Sequence, residues 1–206
     1  MKKAQVSAVL LVIIMVAFLL TSCFNLDKVK SFRYEVGFET QQEGTKKGFL
    51  DVSLFTEGGK NRVKIDFALG EETLSTTVDV EENDMSSAIF PLIMGKPALA
   101  AVLTPLGVVQ GLVMAMSMGG PLQVGFTSKQ EDDKGRMMEL QVPSSETRFG
   151  KEALWIESYV DGKLAFRTLI EKETFFPFVV DFQDQETLEE GQTRGYFELQ
   201  EIEWKE

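Results

Sequence analysis

The stretch Leu154-Trp-Ile-Glu-Ser-Tyr-Val-Asp-Gly-Lys-Leu-Ala-Phe-Arg-Thr-Leu-Ile170 decides the fold class of this chain. Apolar residues recur at every second position, with Ser158 and Thr168 as exceptions, which is the spacing of β-strands with one buried face. The Asp161-Gly162 pair between the two runs indicates a tight turn, because these residues tolerate a positive φ. The stretch therefore predicts a β-hairpin.

The same alternation recurs along the rest of the chain. It is found at residues 32–38, 50–54, 63–67, 74–80, 122–126, 138–142, 178–182 and 196–204. The last run loses its alternation near Gln200, where we expect a β-bulge. About ten meandering strands with one apolar face each predict a curved antiparallel sheet or half-open barrel.

Residues 85–128 interrupt this pattern. They carry a single charge, Lys96, in a chain that is 26% charged. Proline and glycine positions predict a short helix at 87–95 and a longer one at 97–118, so we expect a helical insertion at 86–118. The fold class predicted is therefore α+β, mainly β. The apolar side chains of the insertion need a cover, because each contributes roughly 1.5–3 kcal/mol when it is buried.

Three arrangements of the insertion remain open. The helices fill the hollow of the sheet as ordinary core, or they form a lid over an apolar cavity that binds a lipid or acyl chain. In a third arrangement residues 98–118 cross a membrane, which Pro105, Gln110 and Ser117 disfavour. Methionine, abundant here, suits an adaptable lining. The candidate lining residues are Phe90, Leu99, Leu103, Leu106 and Met114.

The first residues have the organisation of a bacterial secretory leader. Two lysines precede an apolar run at 8–20, which as a helix is about 20 Å long and too short for a hydrocarbon core of ~30 Å. Leu20-Thr21-Ser22-Cys23 resembles the bacterial lipobox, which implies a diacylglycerol on Cys23 and cleavage before it. Phe24 is not the aspartate that retains some lipoproteins in the inner membrane, which favours an outer membrane, facing the periplasm, where the source has one.

These features divide the chain into three parts. Residues 1–22 are predicted to be a lipoprotein signal peptide, residues 23–30 a lipidated tether, and residues 31–206 a single β-rich domain. The N-terminal lipid makes the membrane a partner of the chain, since two or three acyl chains make release negligible.

Composition excludes several kinds of function. The chain has no histidine and one cysteine, so no serine–histidine or cysteine–histidine machinery can form. Its net charge of −11 disfavours nucleic acid as a partner, since that binding needs cations on phosphates. Acid clusters such as Glu71-Glu72 fall at predicted turns, and Trp155 and Trp204 are expected to pack in the sheet. We expect no catalytic residues, no metal site and no cofactor, and hence no enzyme.

Three stretches resemble the LolA/LppX-like superfamily of periplasmic lipoprotein carriers and lipid-binding lipoproteins. They are Gly59-Lys60-Asn61-Arg62-Val63-Lys64-Ile65-Asp66-Phe67, Glu146-Thr147-Arg148-Phe149-Gly150-Lys151-Glu152-Ala153 and Ile170-Glu171-Lys172-Glu173-Thr174-Phe175-Phe176-Pro177-Phe178. The resemblance implies a half-open barrel of about eleven strands, with helices over a concave face that holds acyl chains or whole lipids. No catalytic residue is implied.

Together, these observations predict a membrane-anchored lipoprotein that binds a lipid or acyl chain in an apolar cavity. The alternative is a non-catalytic envelope scaffold or interaction lipoprotein whose core is filled. The identity of the ligand, the protein partner and the oligomeric state do not follow from the sequence.

Overall fold

The computed structural model describes residues 28–40, 44–80, 122–131, 135–183 and 192–205. These residues form ten β-strands. They are β1 (Val29–Thr40), β2 (Gly44–Glu57), β3 (Lys60–Leu69), β4 (Glu72–Val80), β5 (Thr127–Glu131), β6 (Met137–Arg148), β7 (Lys151–Val160), β8 (Lys163–Glu171), β9 (Pro177–Phe182) and β10 (Gln192–Trp204).

All ten strands belong to one curved antiparallel sheet, in the order β4-β3-β2-β1-β10-β9-β8-β7-β6-β5. Two meanders, β1 to β4 and β5 to β10, are joined in the middle by the pairing of β1 with β10. Among the described strands, β4 and β5 are the two edges and do not pair with each other, so the sheet is not closed. The prediction of a curved antiparallel sheet of about ten strands is confirmed.

Tight turns set the register of the hairpins. Asp161 and Gly162 have φ angles of 49° and 76°, which is the positive pair that a type I′ turn requires, so the predicted hairpin is confirmed. Gly58 and Gly59, at 61° and 77°, make the same kind of turn between β2 and β3. A two-residue loop of this type matches the twist of the flanking strands and holds them in one alignment.

The expected bulge near Gln200 is also present. Arg33 pairs with Glu201 and Tyr34 pairs with Leu199, so Gln200 is the extra residue on β10. One unpaired residue reverses the side-chain alternation beyond it and increases the local twist. The bulge therefore allows β10 to keep apolar residues on one face over its full length.

Two boundary predictions were wrong. Residues 122–126, predicted as a strand, precede β5: Gly125 has a φ of 91°, and the Phe126 amide donates to the Gln123 carbonyl at 3.0 Å. The strand itself begins at Thr127 and is exposed throughout, so it has no apolar alternation to reveal it. The predicted tether at 23–30 also extends too far, because Val29 is buried and already pairs with Trp204 in β1.

One face of the sheet is apolar across seven neighbouring strands, which in sheet order are β3, β2, β1, β10, β9, β8 and β7. Residues directly opposite one another share a face, as Phe67 does with Leu50, Val36 with Phe197, and Thr168 with Ile156. We call this the apolar face. Its buried residues are Val63, Ile65, Phe67, Leu50, Val52, Leu54, Phe32, Tyr34, Val36, Phe38, Phe197, Leu199, Val180, Phe182, Phe166, Thr168, Ile170, Leu154, Ile156 and Ser158.

The helical insertion predicted at 86–118 lies outside the described residues, as do the membrane-crossing alternative at 98–118 and the signal peptide at 1–22. The described residues contain no α-helix. Within them, no helix has the length and apolarity that crossing a bilayer requires.

Candidate functional site

The sequence-predicted site residues lie outside the described part of the chain. These are the lipid-attachment residue Cys23, the lipobox residues Leu20, Thr21 and Ser22, and the lining candidates Phe90, Leu99, Leu103, Leu106 and Met114. What the structure adds is the surface that the lining was expected to face, together with a second site on the opposite side of the sheet.

The apolar face contains few polar groups. Thr168 is fully buried in it, and its hydroxyl donates to the backbone carbonyl of Val179 at 2.7 Å. Ser158 is also buried, next to Phe166 on the neighbouring strand. The Thr168 donor is thus satisfied by the backbone, and the centre of this face presents mainly hydrocarbon.

An aromatic cluster lies at one end of the apolar face. The ring centroid of Phe176 is 5.5 Å from that of Phe32, 6.2 Å from that of Tyr34 and 6.0 Å from that of Trp204. The ammonium group of Lys151 lies 5.6 Å from the centroid of the Trp204 ring. Edge and stacked contacts of this kind stabilise beyond the area they bury, so the cluster fixes the loop before β9 against β1 and β10.

Tyr34 and Glu171 hold this end of the sheet by buried hydrogen bonds. The Tyr34 hydroxyl donates to the Pro177 carbonyl, and burial raises the pKa of that phenol well above its usual value of 10.0. The buried Glu171 carboxylate accepts hydrogen bonds from the backbone amide and the hydroxyl of Thr174. These contacts close the bend that carries Phe176 into the aromatic cluster.

The opposite, polar face contains a groove of about 540 Å³. Its lining residues lie on β1, β2 and β6 to β10, and all except Phe197 belong to the face opposite the apolar one, because side chains alternate along a strand. We call it the polar groove. It is lined by Glu35, Glu39, Thr45, Lys47, Arg148, Trp155, Arg167, Val179, Asp181, Arg194, Tyr196, Phe197 and Glu198.

Two cross-strand rows form the floor of the polar groove. In the first, Lys47, Gly37, Tyr196, Asp181 and Arg167 stand opposite one another on five adjacent strands. A Cβ atom on Gly37 would lie 2.2 Å from Cε1 of Tyr196, so the absence of a side chain there makes room for the ring. The Tyr196 ring consequently lies against the sheet instead of blocking the groove.

The second row places two carboxylates, Glu35 and Glu198, directly opposite each other. Like charges in this position destabilise a sheet, and here each has its own cation. Lys47 Nζ lies 3.2 Å from Glu35 Oε1, which also accepts from the Tyr196 hydroxyl at 3.1 Å, and these bonds lower the pKa of Glu35. Arg148 Nη2 lies 2.7 Å from Glu198 Oε1.

Asp181 is the most buried charge in the polar groove, with 4% of its side chain exposed. Nε and Nη2 of Arg194 donate to its two oxygens, each at 2.8 Å. This bidentate pair raises the pKa of Arg194 above its usual value. Such a fork is the strong form of an arginine–carboxylate contact, and it fixes the middle of the groove.

Sequence reasoning missed the polar groove. Its acids are not the clustered ones: Glu71 is exposed in the turn before β4, Glu72 is exposed at the first residue of that strand, and both lie outside the groove. Trp155, expected to pack in the sheet, lines it. The signal was present as alternate polar residues in 35–39, 179–181 and 194–198, but only the pairing of β1 with β10 brings them together. Among the described residues, no group of three acids could hold a metal ion.

Comparisons with solved structures give distant similarities in fold. The chain is similar to MucB in a MucA/MucB complex from Pseudomonas aeruginosa, with 9% identity, a TM-score of 0.38, and coverage of 92% of this chain and 56% of that one. A crystal structure of MucB is similar at 10% identity and a TM-score of 0.35, and the match covers 91% of this chain and 57% of that one. The chain thus spans little more than half the length of these proteins.

A LolA superfamily protein, NE2245 from Nitrosomonas europaea, is also similar, at 6% identity and a TM-score of 0.24, covering 93% of both chains. This is the superfamily that the three sequence stretches resemble. No protein-family model matches the sequence, and neither does any curated protein. At these TM-scores and identities, the functional proposals rest on the residues of the chain itself.

Proposed function

We propose that this chain is an exported bacterial lipoprotein, anchored through lipid on Cys23, whose sheet binds a lipid or acyl chain against the apolar face. The observation that carries the proposal is the extent of that face. Seven adjacent strands direct apolar side chains to the same side of a sheet that is not closed. A buried methylene contributes about 0.8 kcal/mol, so a surface of this kind binds an acyl chain without any specific polar contact.

The open edge supports the same function. A closed barrel of ten strands is filled or encloses its ligand on all sides, whereas here the edge strands β4 and β5 are unpaired with each other among the described residues. Leu74, Val78 and Val80 on β4 are only partly buried against the core. An apolar ligand could therefore enter between the two edges.

In this proposal, residues 86–118 cover the apolar face. An open sheet buries one face only by curling or by packing against a second layer. The segment joins the two edge strands in sequence and carries one charge, which suits a layer over the apolar face. Phe90, Leu99, Leu103, Leu106 and Met114 are the residues we propose to line the ligand site.

The proposed mode of action is binding without catalysis. The described acids of the polar groove have fixed cationic partners, as Asp181 has in Arg194 and Glu198 in Arg148. The chain contains no histidine to act as a general base. Specificity for a lipid would come from the shape and length of the apolar site.

The test is whether lipid co-purifies with a protein that cannot be lipidated. Residues 23–206 carrying Cys23→Ser, exported behind a cleavable leader, are purified without detergent, and solvent-extracted lipid is quantified by mass spectrometry. We expect about one lipid per chain. Leu103→Asn and Met114→Asn are expected to reduce that amount several-fold. The matched control is Val124→Asn, since Val124 is 52% exposed and apolar.

A folded, lipid-free protein that binds no fatty acid or phospholipid on addition would overturn lipid binding and favour the scaffold alternative. Anchoring is tested separately on the full chain. Radiolabelled palmitate should enter the wild-type protein and not Cys23→Ser, and an unlabelled wild-type protein would contradict the lipobox.

A further inference from the structure

The polar groove is lined by four cations and four carboxylates, so its charges balance in a chain that is acidic as a whole. Three of the six arginines, Arg148, Arg167 and Arg194, line it together with Lys47, although the net charge of the chain is −11. A protein with this charge has no general attraction for anions. Anion binding by this chain would therefore report a specific site.

Three of the four carboxylates that line the groove accept hydrogen bonds from its cations, and the fourth, Glu39, lies 3.8 Å from Nη1 of Arg194. Both oxygens of Asp181 accept from Arg194 at 2.8 Å, and Glu198 accepts from Arg148 at 2.7 Å. Glu35 is held by Lys47 and Tyr196. These contacts hold Arg194 and Arg148 against groups on the sheet, and they reduce the negative field in the groove.

Arg167 has donors to spare. Its nearest recorded carboxylate oxygen, Oδ2 of Asp181, is 3.8 Å from Nε, which is beyond hydrogen-bonding distance, and its side chain is 45% exposed. The guanidinium carbon lies 5.0 Å from the centroid of the Trp155 ring. A guanidinium has five N–H donors in a planar fork, and stacking on an indole leaves those donors in its plane available to an anion.

A second arginine, Arg148, lines the same groove. Arg148 bonds Glu198, and Asp181, beside Arg167, is the diagonal neighbour of Glu198 on the adjacent strand. Diagonal neighbours in a sheet are roughly 7–8 Å apart, which is within reach of long side chains such as arginine. Arg148 donates to Glu198 through Nη2, which leaves the other N–H groups of its guanidinium for a second acceptor.

We propose that the polar groove binds a small amphipathic anion. Its phosphoryl or carboxylate group accepts hydrogen bonds from Arg167 and Arg148, and its apolar part packs against Trp155 and the Tyr196 ring. The volume of about 540 Å³ is that of a small-molecule site. Because the groove lies on the polar face, this site is independent of lipid binding on the apolar face.

The test follows Trp155 fluorescence in the full chain, purified in a non-ionic detergent and carrying Trp204→Phe, so that Trp155 is the sole tryptophan. The probes are phenyl phosphate, benzoate and inorganic phosphate at constant ionic strength. We expect a saturable change with phenyl phosphate and benzoate, at lower concentrations than with inorganic phosphate, since the last has no apolar part. Calorimetric titration of the chain with both tryptophans provides a second readout that does not depend on Trp204→Phe folding.

Arg167→Gln is expected to weaken phenyl phosphate binding at least tenfold. Arg62→Gln is the matched control, because Arg62 lies on β3, outside the groove, and is paired with Glu57 and Asp79. Absence of saturable binding in both readouts, or equal affinities for wild type and Arg167→Gln, would overturn the proposal. Equal affinities for phenyl phosphate and inorganic phosphate would overturn the role of Trp155 and Tyr196.

Discussion

The two faces of the sheet are stabilised by different forces, and strands β8 to β10 show the contrast within a few residues. Phe166, Val180 and Phe197 are buried on the apolar face, where each contributes through the area it removes from water. On the polar face, Asp181 and Arg194 depend on two hydrogen bonds of fixed direction. The hydrophobic effect has no preferred direction, whereas a bidentate ion pair requires its donors and acceptors to be aligned. The polar groove is therefore the more exacting of the two surfaces.

The largest expected effect comes from a truncation on the apolar face. Phe197 is fully buried on β10, and its ring centroid is 6.2 Å from that of Phe38. Phe197→Ala should lower the free energy of unfolding by about 3–5 kcal/mol through lost burial and the cavity left behind. Urea denaturation measures it, with Phe55→Ala as control, since Phe55 is 36% exposed and should lose well under half as much. Equal losses would show that the apolar face is not the stabilising core.

A change on the polar face is expected to have a smaller effect. Asp181 holds Arg194 by an ion pair, and its Oδ2 atom is 3.8 Å from Nε of Arg167. Asp181→Asn removes this charge and should lower the free energy of unfolding by about 1.5–3 kcal/mol. Asp79→Asn is the matched control, because Asp79 is half exposed and water screens its pairs with Lys60 and Arg62, so its loss should destabilise much less. If the two substitutions destabilise equally, Asp181 does not organise the groove.

The smallest expected effect is the loss of the buried Tyr34 hydroxyl, which should also change how stability depends on pH. Tyr34→Phe removes one buried hydrogen bond and should lower the free energy of unfolding by about 1 kcal/mol near neutral pH. Burial raises the pKa of Tyr34 in the folded state, so the unfolded chain releases this proton first. Stability should then fall as the pH rises above the usual tyrosine value of 10.0, and less steeply in Tyr34→Phe. Urea titrations between neutral pH and the alkaline range measure both slopes, and identical slopes would contradict the burial of the phenol.

Much of the sheet could be predicted because its information is local. Alternation identified nine of the ten strands, and Asp161-Gly162 identified a hairpin from two residues. Strand β5 was misplaced because Thr127–Glu131 is exposed on every residue and has no buried face to set a period of two. The helical insertion at 86–118 stays a prediction.

The polar groove could not be predicted, because its residues are distant in sequence. Lys47, Tyr196 and Arg167 lie in one row only through the register of four strand pairs, including β1 with β10. Charged residues on an exposed strand face are the ordinary pattern of an antiparallel sheet, so nothing local distinguishes Asp181 from a solvated acid. Trp155 was predicted to pack in the sheet, because nothing in its neighbouring sequence places it in a groove.

The pairing of β1 with β10 has a consequence for how the protein matures. Lys30 and Glu203, which form an ion pair across this seam, are 173 positions apart in the chain. Contacts between such remote positions slow folding, because a large loop must close before they are made. During translation β1 would wait, with one backbone edge unsatisfied, until nearly all of the chain had been made. A nascent chain in this condition is prone to aggregation, so we expect chaperones to bind it until β10 has been synthesised.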